Sequence, residues 1–182
     1  THAEVTIDPD VPVPDWGLNP VGQARHAAFA ERSEVGGVTS IYCSTERKAV
    51  DGAAPVAGRL SLEPRHRKDL GENDRSATGY LPPAIFWPVV DRFFAEPTKS
   101  VLGWERAIDA HTRITRAVTR AADEAPEGDV LVVSHGGVAT LLRCQLKDVP
   151  ITKKEGAPHP GGGCWFVFAR TMDGPPSEWN VI

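Results

Sequence analysis

Apolar positions along this chain switch between two spacings. Val38 to Cys43 (VTSIYC) is a β-rich run, and Leu131, Val132 and Val133 are a short continuous apolar run of the kind a strand shows when both its faces are covered. Elsewhere the spacing is helical. Ile85, Val89 and Phe93 predict a short helix over about 84–95. Trp104, Ala107, Ile108, Ile114, Val118 and Ala121 form one stripe of the clearest helix, within 103–125. Val138, Leu141, Leu142 and Leu146 continue the pattern after the second strand. Pro20 suits a first helical turn, so a helix is expected over about 20–33 with Asn19 as its N-cap. Ser44 or Thr45 is placed to cap a helix that Gly52 and Pro55 weaken. The proline-rich 8–18 stretch reads as a stiff surface loop, 61–82 as polar and irregular, 156–163 as a loop, and 164–170 and 178–182 as strands. Alternating strands and helices imply a three-layer α/β fold with a largely parallel sheet, in a single domain over 1–182. Such a fold opens on a strand, which is expected to lie before Thr1.

Composition narrows the classes. The chain has 182 residues, 41% hydrophobic and 24% charged, which is ordinary for a globular protein with a sizeable core. A net charge of -4 argues against general nucleic-acid affinity, so any anion site must be local. No apolar run is long enough to cross a bilayer. The three cysteines, Cys43, Cys144 and Cys164, have no CxxC spacing, so neither a disulfide framework nor a zinc site is indicated and a reducing, cytoplasmic setting is expected.

The candidate chemistry sits at two strand ends. Ser134-His135-Gly136-Gly137 turns from the carboxyl end of one strand into the next helix. Open α/β sheets bind ligands there, and free N–H groups with the helix dipole favour an anion. The other run ends in Ser44, Thr45 and Arg47, and adjacent parallel strands would bring Arg47 beside His135. A guanidinium fork suits two phosphate oxygens, so the expectation is a phosphate pocket to which the Gly136 and Gly137 amides contribute.

THAEV, CSTERKA, LGE and VVSHGG occur in the order and rough spacing of the histidine phosphatase superfamily, also called phosphoglycerate mutase-like, and LNPVGQARHAA (18–28) is similar to its first helix. The resemblance spans residue 1 to about 146. It implies a three-layer α/β/α sandwich with a largely parallel central sheet. It also implies a phosphomonoester hydrolase in which His2 is the nucleophile and carries the phosphoryl group. On the same resemblance Arg47 and His135 clamp the phosphoryl oxygens, and Glu72 protonates the leaving alkoxide and then activates water, with Asp74 as its rival. No metal and no cofactor are implied, and the expected partner is a small phosphorylated substrate or a phosphoprotein.

The sequence departs from the family where its arginine and glycine flank the nucleophile: Thr1 and Ala3 stand there, and Asp8 falls where an asparagine is common. Thr1 could give the phosphate one hydroxyl bond, and Arg75 or the Arg65–Lys68 run could restore positive charge. The alternatives are a mutase using the same pocket and a non-catalytic module that binds phosphorylated ligands. An acyl hydrolase is disfavoured by the lack of a G-x-S-x-G elbow. Among the other residues, His111 is expected in core packing and His26, His66 and His159 at the surface. The tryptophans belong in the core, except Trp16, which could close over a substrate. Cys43 and Cys144 read as small buried hydrophobes.

Overall fold

β1 (Val38–Ser44) is the middle strand of a three-stranded parallel sheet in the computed structural model, which describes residues 1–182. It lies between β2 (Arg65–Arg67) and β3 (Asp129–Val133), with Tyr42 opposite Arg65 on one side and Val132 on the other. Successive strand side chains leave on opposite faces. Ile41 and Cys43 join Phe29, Ala53 and Val56, whereas Tyr42 joins Phe93, Trp104, Ile114 and Leu141. Both faces are therefore covered. On one side lie α1 (Pro20–Ala30) and α2 (Arg47–Leu60); on the other lie α3 (Pro83–Ala95), α4 (Ala107–Glu124) and α5 (Gly136–Leu146). This is the expected three-layer α/β/α arrangement. No helix is long and apolar enough to cross a membrane.

Local chemistry explains most element ends. The Asn19 side chain accepts from Gly22 N at 2.9 Å, so the expected cap of α1 is present, and the helix stops at Ala30. α2 starts at Arg47 with Glu46 as N-cap and no side-chain capping bond, while Ser44 Oγ accepts from Glu46 N instead of capping the helix. The helix continues through Gly52 and Pro55 to Leu60 because Ala49, Ala53 and Val56 bury one face of it. Ser61, at φ 52°, ends it in the left-handed region.

Four expectations are corrected. Residues 61–82 are not wholly irregular: β2 is an edge strand of three polar residues, too short and too charged to show apolar alternation. Only Cys164–Trp165 (β4) of 164–170 forms a strand, antiparallel to Asn180–Val181 (β5), and Val167 faces solvent. Ile108 lies outside the buried stripe of α4, which runs through Ala107, Ala110, Ile114, Ala117, Val118 and Ala121. Trp87 is half exposed on α3 rather than in the core.

Residues 1–3 lie between the two sheets. His2 N donates to Ser134 O at 3.0 Å and His2 O accepts from Gly163 N at 2.7 Å. Gly162 has φ +70°, and a Cβ there would stand 2.4 Å from His2 O, so only glycine fits this approach.

Candidate active site

Four segments meet at the carboxyl ends of β1 and β3. His2 comes from the segment just described, Glu46 and Lys48 from the turn into α2, His135 from the turn into α5, and Glu72 with Arg75 from the loop after β2. The His2 and His135 rings stand edge to face with centroids 5.1 Å apart. His2 Nδ1 lies 2.9 Å from Ala3 O. A carbonyl only accepts, so Nδ1 carries the hydrogen and Nε2 keeps a free lone pair. His135 is fully buried, and neither of its ring nitrogens has a hydrogen-bond partner. Its Nε2 is 3.3 Å from Glu46 Oε1, at ion-pair distance but outside hydrogen-bond geometry.

Glu72 is well held. Its carboxylate accepts from Gly137 N at 3.1 Å, Val138 N at 3.0 Å and Asn73 N at 3.1 Å, and Arg75 lies 3.8 Å away. The loop beneath it is fixed twice over. Ser134 Oγ donates to Leu70 O at 2.7 Å, and Arg113 donates to Asp69 O, Gly71 O and Glu72 O. Asp74, the rival acid, is exposed and accepts from Ser76 N. The Arg75 guanidinium lies over Phe86 and Trp104, 5.2 and 5.5 Å from the ring centroids.

Several sequence expectations are corrected here. Arg47 does not enter the cleft: its side chain is 65% exposed and bonds Asp51 at 2.8 Å, one turn along α2. The cation that does enter is Lys48, whose side chain is 4% exposed and whose Nζ donates to Glu46 Oε2 at 2.6 Å and Val13 O at 2.9 Å. Helical phase decides this. Lys48 shares the buried face with Gly52 and Val56, whereas Arg47 shares the outer face with Asp51. The Thr1 hydroxyl is spent on Cys164, donating to its O and accepting from its N, and so offers the cleft nothing. The Gly137 amide is taken by Glu72, while Gly136 faces open space. Arg65 and Arg67 lie over the Tyr42 ring, with Arg65 bonded to its hydroxyl and Arg67 to Glu124. Asp8 is exposed, and its carboxylate accepts from Asp10 N within its own loop.

His26, expected at the surface, is buried, and its Nε2 accepts from Ala3 N at 3.1 Å. It therefore supports the residue whose carbonyl orients His2. Gly22, His26, Phe29 and Ala30 share the inner face of α1, the spacing that marks it as internal. A Cβ on Gly52 would come 2.7 Å from the His26 ring, which accounts for glycine there. Trp16 is buried, not free to close. Its Nε1 donates to Asp8 O and Val11 O and its ring meets Tyr80 at 5.6 Å, joining two loops at the rim.

Burial sets the protonation states. It pushes His2 down to about 4, with the Ala3 carbonyl opposing and the Lys48 ammonium reinforcing, so the ring is neutral near pH 7. It pushes His26 down to about 3 and His135 well below the ordinary imidazole value. Burial alone would raise Glu72, but the Arg75 guanidinium, His135 and the Gly137 N–H outweigh it and hold the carboxyl below its usual range. The cleft thus sets two cations, Lys48 and Arg75, against two carboxylates, Glu46 and Glu72.

Fold and cleft together define a three-layer α/β protein with a pair of neutral histidines at its strand ends. The chain belongs to the histidine phosphatase superfamily (branch 1), whose sequence model matches residues 6–179. His2 lies just outside that match. Comparison with curated proteins gives no match. Among solved structures, a mycobacterial glucosyl-3-phosphoglycerate phosphatase with bound inorganic phosphate is similar at 22% identity and a TM-score of 0.73, covering 91% of this chain and 84% of that one. YhfR of Bacillus stearothermophilus is similar at 23% identity and a TM-score of 0.68, covering 84% and 79%. The α-ribazole phosphatase of Shigella flexneri follows at 17% identity and a TM-score of 0.65, covering 91% and 85%. At these identities the likeness shows the fold.

Proposed function

We propose that the protein hydrolyses phosphomonoesters of small molecules, the class that two of these structural relatives act on by name, through a phosphohistidine on His2. The observation that carries the reading is the His2–His135 pair. One ring has its tautomer fixed by Ala3 O, and the other is fully buried with both nitrogens unpartnered. In the first step His2 Nε2 attacks phosphorus in line, forming the P–N bond as the P–O bond to the leaving group breaks. No separate base is needed, because the ring is already neutral. His135 and Lys48 stabilise the charge on the transferring oxygens. Glu72 rests as a carboxylate; a phosphoryl group arriving beside it raises its proton affinity, so that it takes up a proton from solvent on binding and then donates that proton to the leaving oxygen. In the second step Glu72 takes a proton from water as its oxygen attacks phosphorus, releasing phosphate and free His2.

The test is hydrolysis of an aryl phosphate without added metal, compared with His2→Ala. Loss of more than about a thousandfold in the variant is expected for removal of a nucleophile. Undiminished turnover overturns the assignment of His2. A second reading, a module that binds phosphorylated ligands without turnover, is favoured by one observation: Glu46 and Glu72 already occupy Lys48 and the amides opening α5. Absent turnover, with inorganic phosphate still raising the melting temperature, would establish that reading instead.

A further inference from the structure

Glu46 is a carboxylate of this cleft that the reaction does not use. It is the N-cap of α2, and its side chain makes no capping bond to that helix. Its side chain, 14% exposed, turns into the cleft. There Oε2 accepts from Lys48 Nζ at 2.6 Å, and Oε1 accepts from Glu72 N at 2.9 Å and stands 3.3 Å from His135 Nε2. Lys48 and His135 are the two side chains assigned to the oxygens of a phosphoryl group. A carboxylate offers two anionic oxygens on one carbon, much as a phosphoryl group offers them on phosphorus, and here one lies against each of these donors.

Resting on the phosphatase reading of this cleft, we propose that Glu46 is a specificity residue. Its carboxylate holds the place of phosphoryl oxygens between Lys48 and His135 and so makes the cleft take a phosphomonoester as its monoanion in preference to its dianion. A dianion must either displace this carboxylate or sit beside it, and in a water-poor site that repulsion is felt strongly. A singly charged phosphate meets a smaller penalty. Because Lys48 also holds Val13 O, a ligand that takes its ammonium competes with two existing acceptors, of which only Glu46 carries charge.

The test is equilibrium binding by calorimetry at pH 8, using inorganic phosphate, mostly dianionic there, and dimethyl phosphate, a monoanion. Glu46→Gln keeps the size and one acceptor oxygen but removes the charge. The expected result is phosphate binding tighter by about tenfold or more, with dimethyl phosphate changed by less than about threefold. Should the glutamine variant fail to fold, Glu46→Asp draws the carboxylate back from His135 while keeping its charge for Lys48, and a smaller gain for phosphate alone is expected. Equal changes for both probes, or weaker phosphate binding, would show that Glu46 merely supports Lys48 and would overturn the proposal. If phosphate binds neither protein the proposal also falls. His2-dependent turnover of the aryl phosphate then decides separately whether the phosphatase reading stands.

Discussion

The two corners of the cleft solve one problem by different means. At the end of β1 the chain enters α2 and presents side chains, with Lys48 and Glu46 reaching in from the first turn. At the end of β3 it enters α5 and presents mainly backbone, with the Gly137 and Val138 amides meeting a carboxylate and Gly136 open beside His135. The first corner depends on helical phase, since rotating α2 by one residue would exchange Lys48 for Arg47. The second depends on the absence of a Cβ. Charge at the first corner is tunable by substitution, whereas geometry at the second is fixed by the chain itself.

The largest expected effect breaks the first corner. Lys48→Met removes a buried cation while keeping its apolar stem, and kcat/KM on an aryl phosphate should fall about a hundred- to thousandfold. The second corner is tested by Gly137→Ala. A Cβ there would stand 2.6 Å from Glu72 Oε1, so the carboxylate must move, and kcat should drop roughly ten- to a hundredfold. An alkyl phosphate should suffer more than an aryl one, because its poorer leaving group needs the proton that Glu72 is proposed to deliver.

A smaller effect concerns the buried imidazoles beside both corners. His2 and His26 are held near 4 and 3, below the 6.5 of an unfolded histidine, so the unfolded chain binds more protons as the pH drops. Stability is full above pH 6.5 and is lost between 6.5 and those folded values, with a slope of about 1.4 kcal/mol per pH unit for each such histidine. Melting temperatures from pH 7 to 4.5 should fall accordingly, and His26→Gln, which can still accept from Ala3 N, should flatten the fall. The smallest effect is the control on the first corner. Arg47→Met should leave kcat/KM within about twofold, since its exposed pair with Asp51 faces away from the cleft.

The same difference between the corners decided what could be read in advance. The place of SHGG at a strand end was legible because a histidine and two glycines have few other uses there, whereas the tie from Ser134 to the Leu70 turn and the Glu72 carboxylate on the Gly137 amide left no trace in the sequence. Arg47-Lys48 was misread because two neighbouring cations look alike until the phase of α2 is known. The buried set Lys48, Gly52, Val56 carries that phase, yet Lys48 weakens the apolar pattern by which phase is recognised. His26 was hidden for a related reason, since a polar residue on an inner face reads as surface unless Gly22, Phe29 and Ala30 are counted with it. The three later helices and the two apolar strands were legible from spacing, α1 from Pro20 and its Asn19 cap, and α2 only from a side-chain cap that the structure does not use. β2 was not, because Arg65, His66 and Arg67 earn their place by pairing with β1 and lying along Tyr42, neither of which leaves an apolar trace.

The backbone of His2 is bonded on both sides, to Ser134 across one gap and Gly163 across the other, while the Thr1 hydroxyl is tied twice to Cys164. Seen as mechanics, this short stretch is a rivet between the parallel sheet and the small antiparallel pair. On the proposed reaction, the imidazole it carries, itself bonded to Ala3 O, is held in place as a phosphoryl group approaches. Its alignment would then be set when the chain folds, and the entropy of reaching a productive encounter would fall mainly on the substrate.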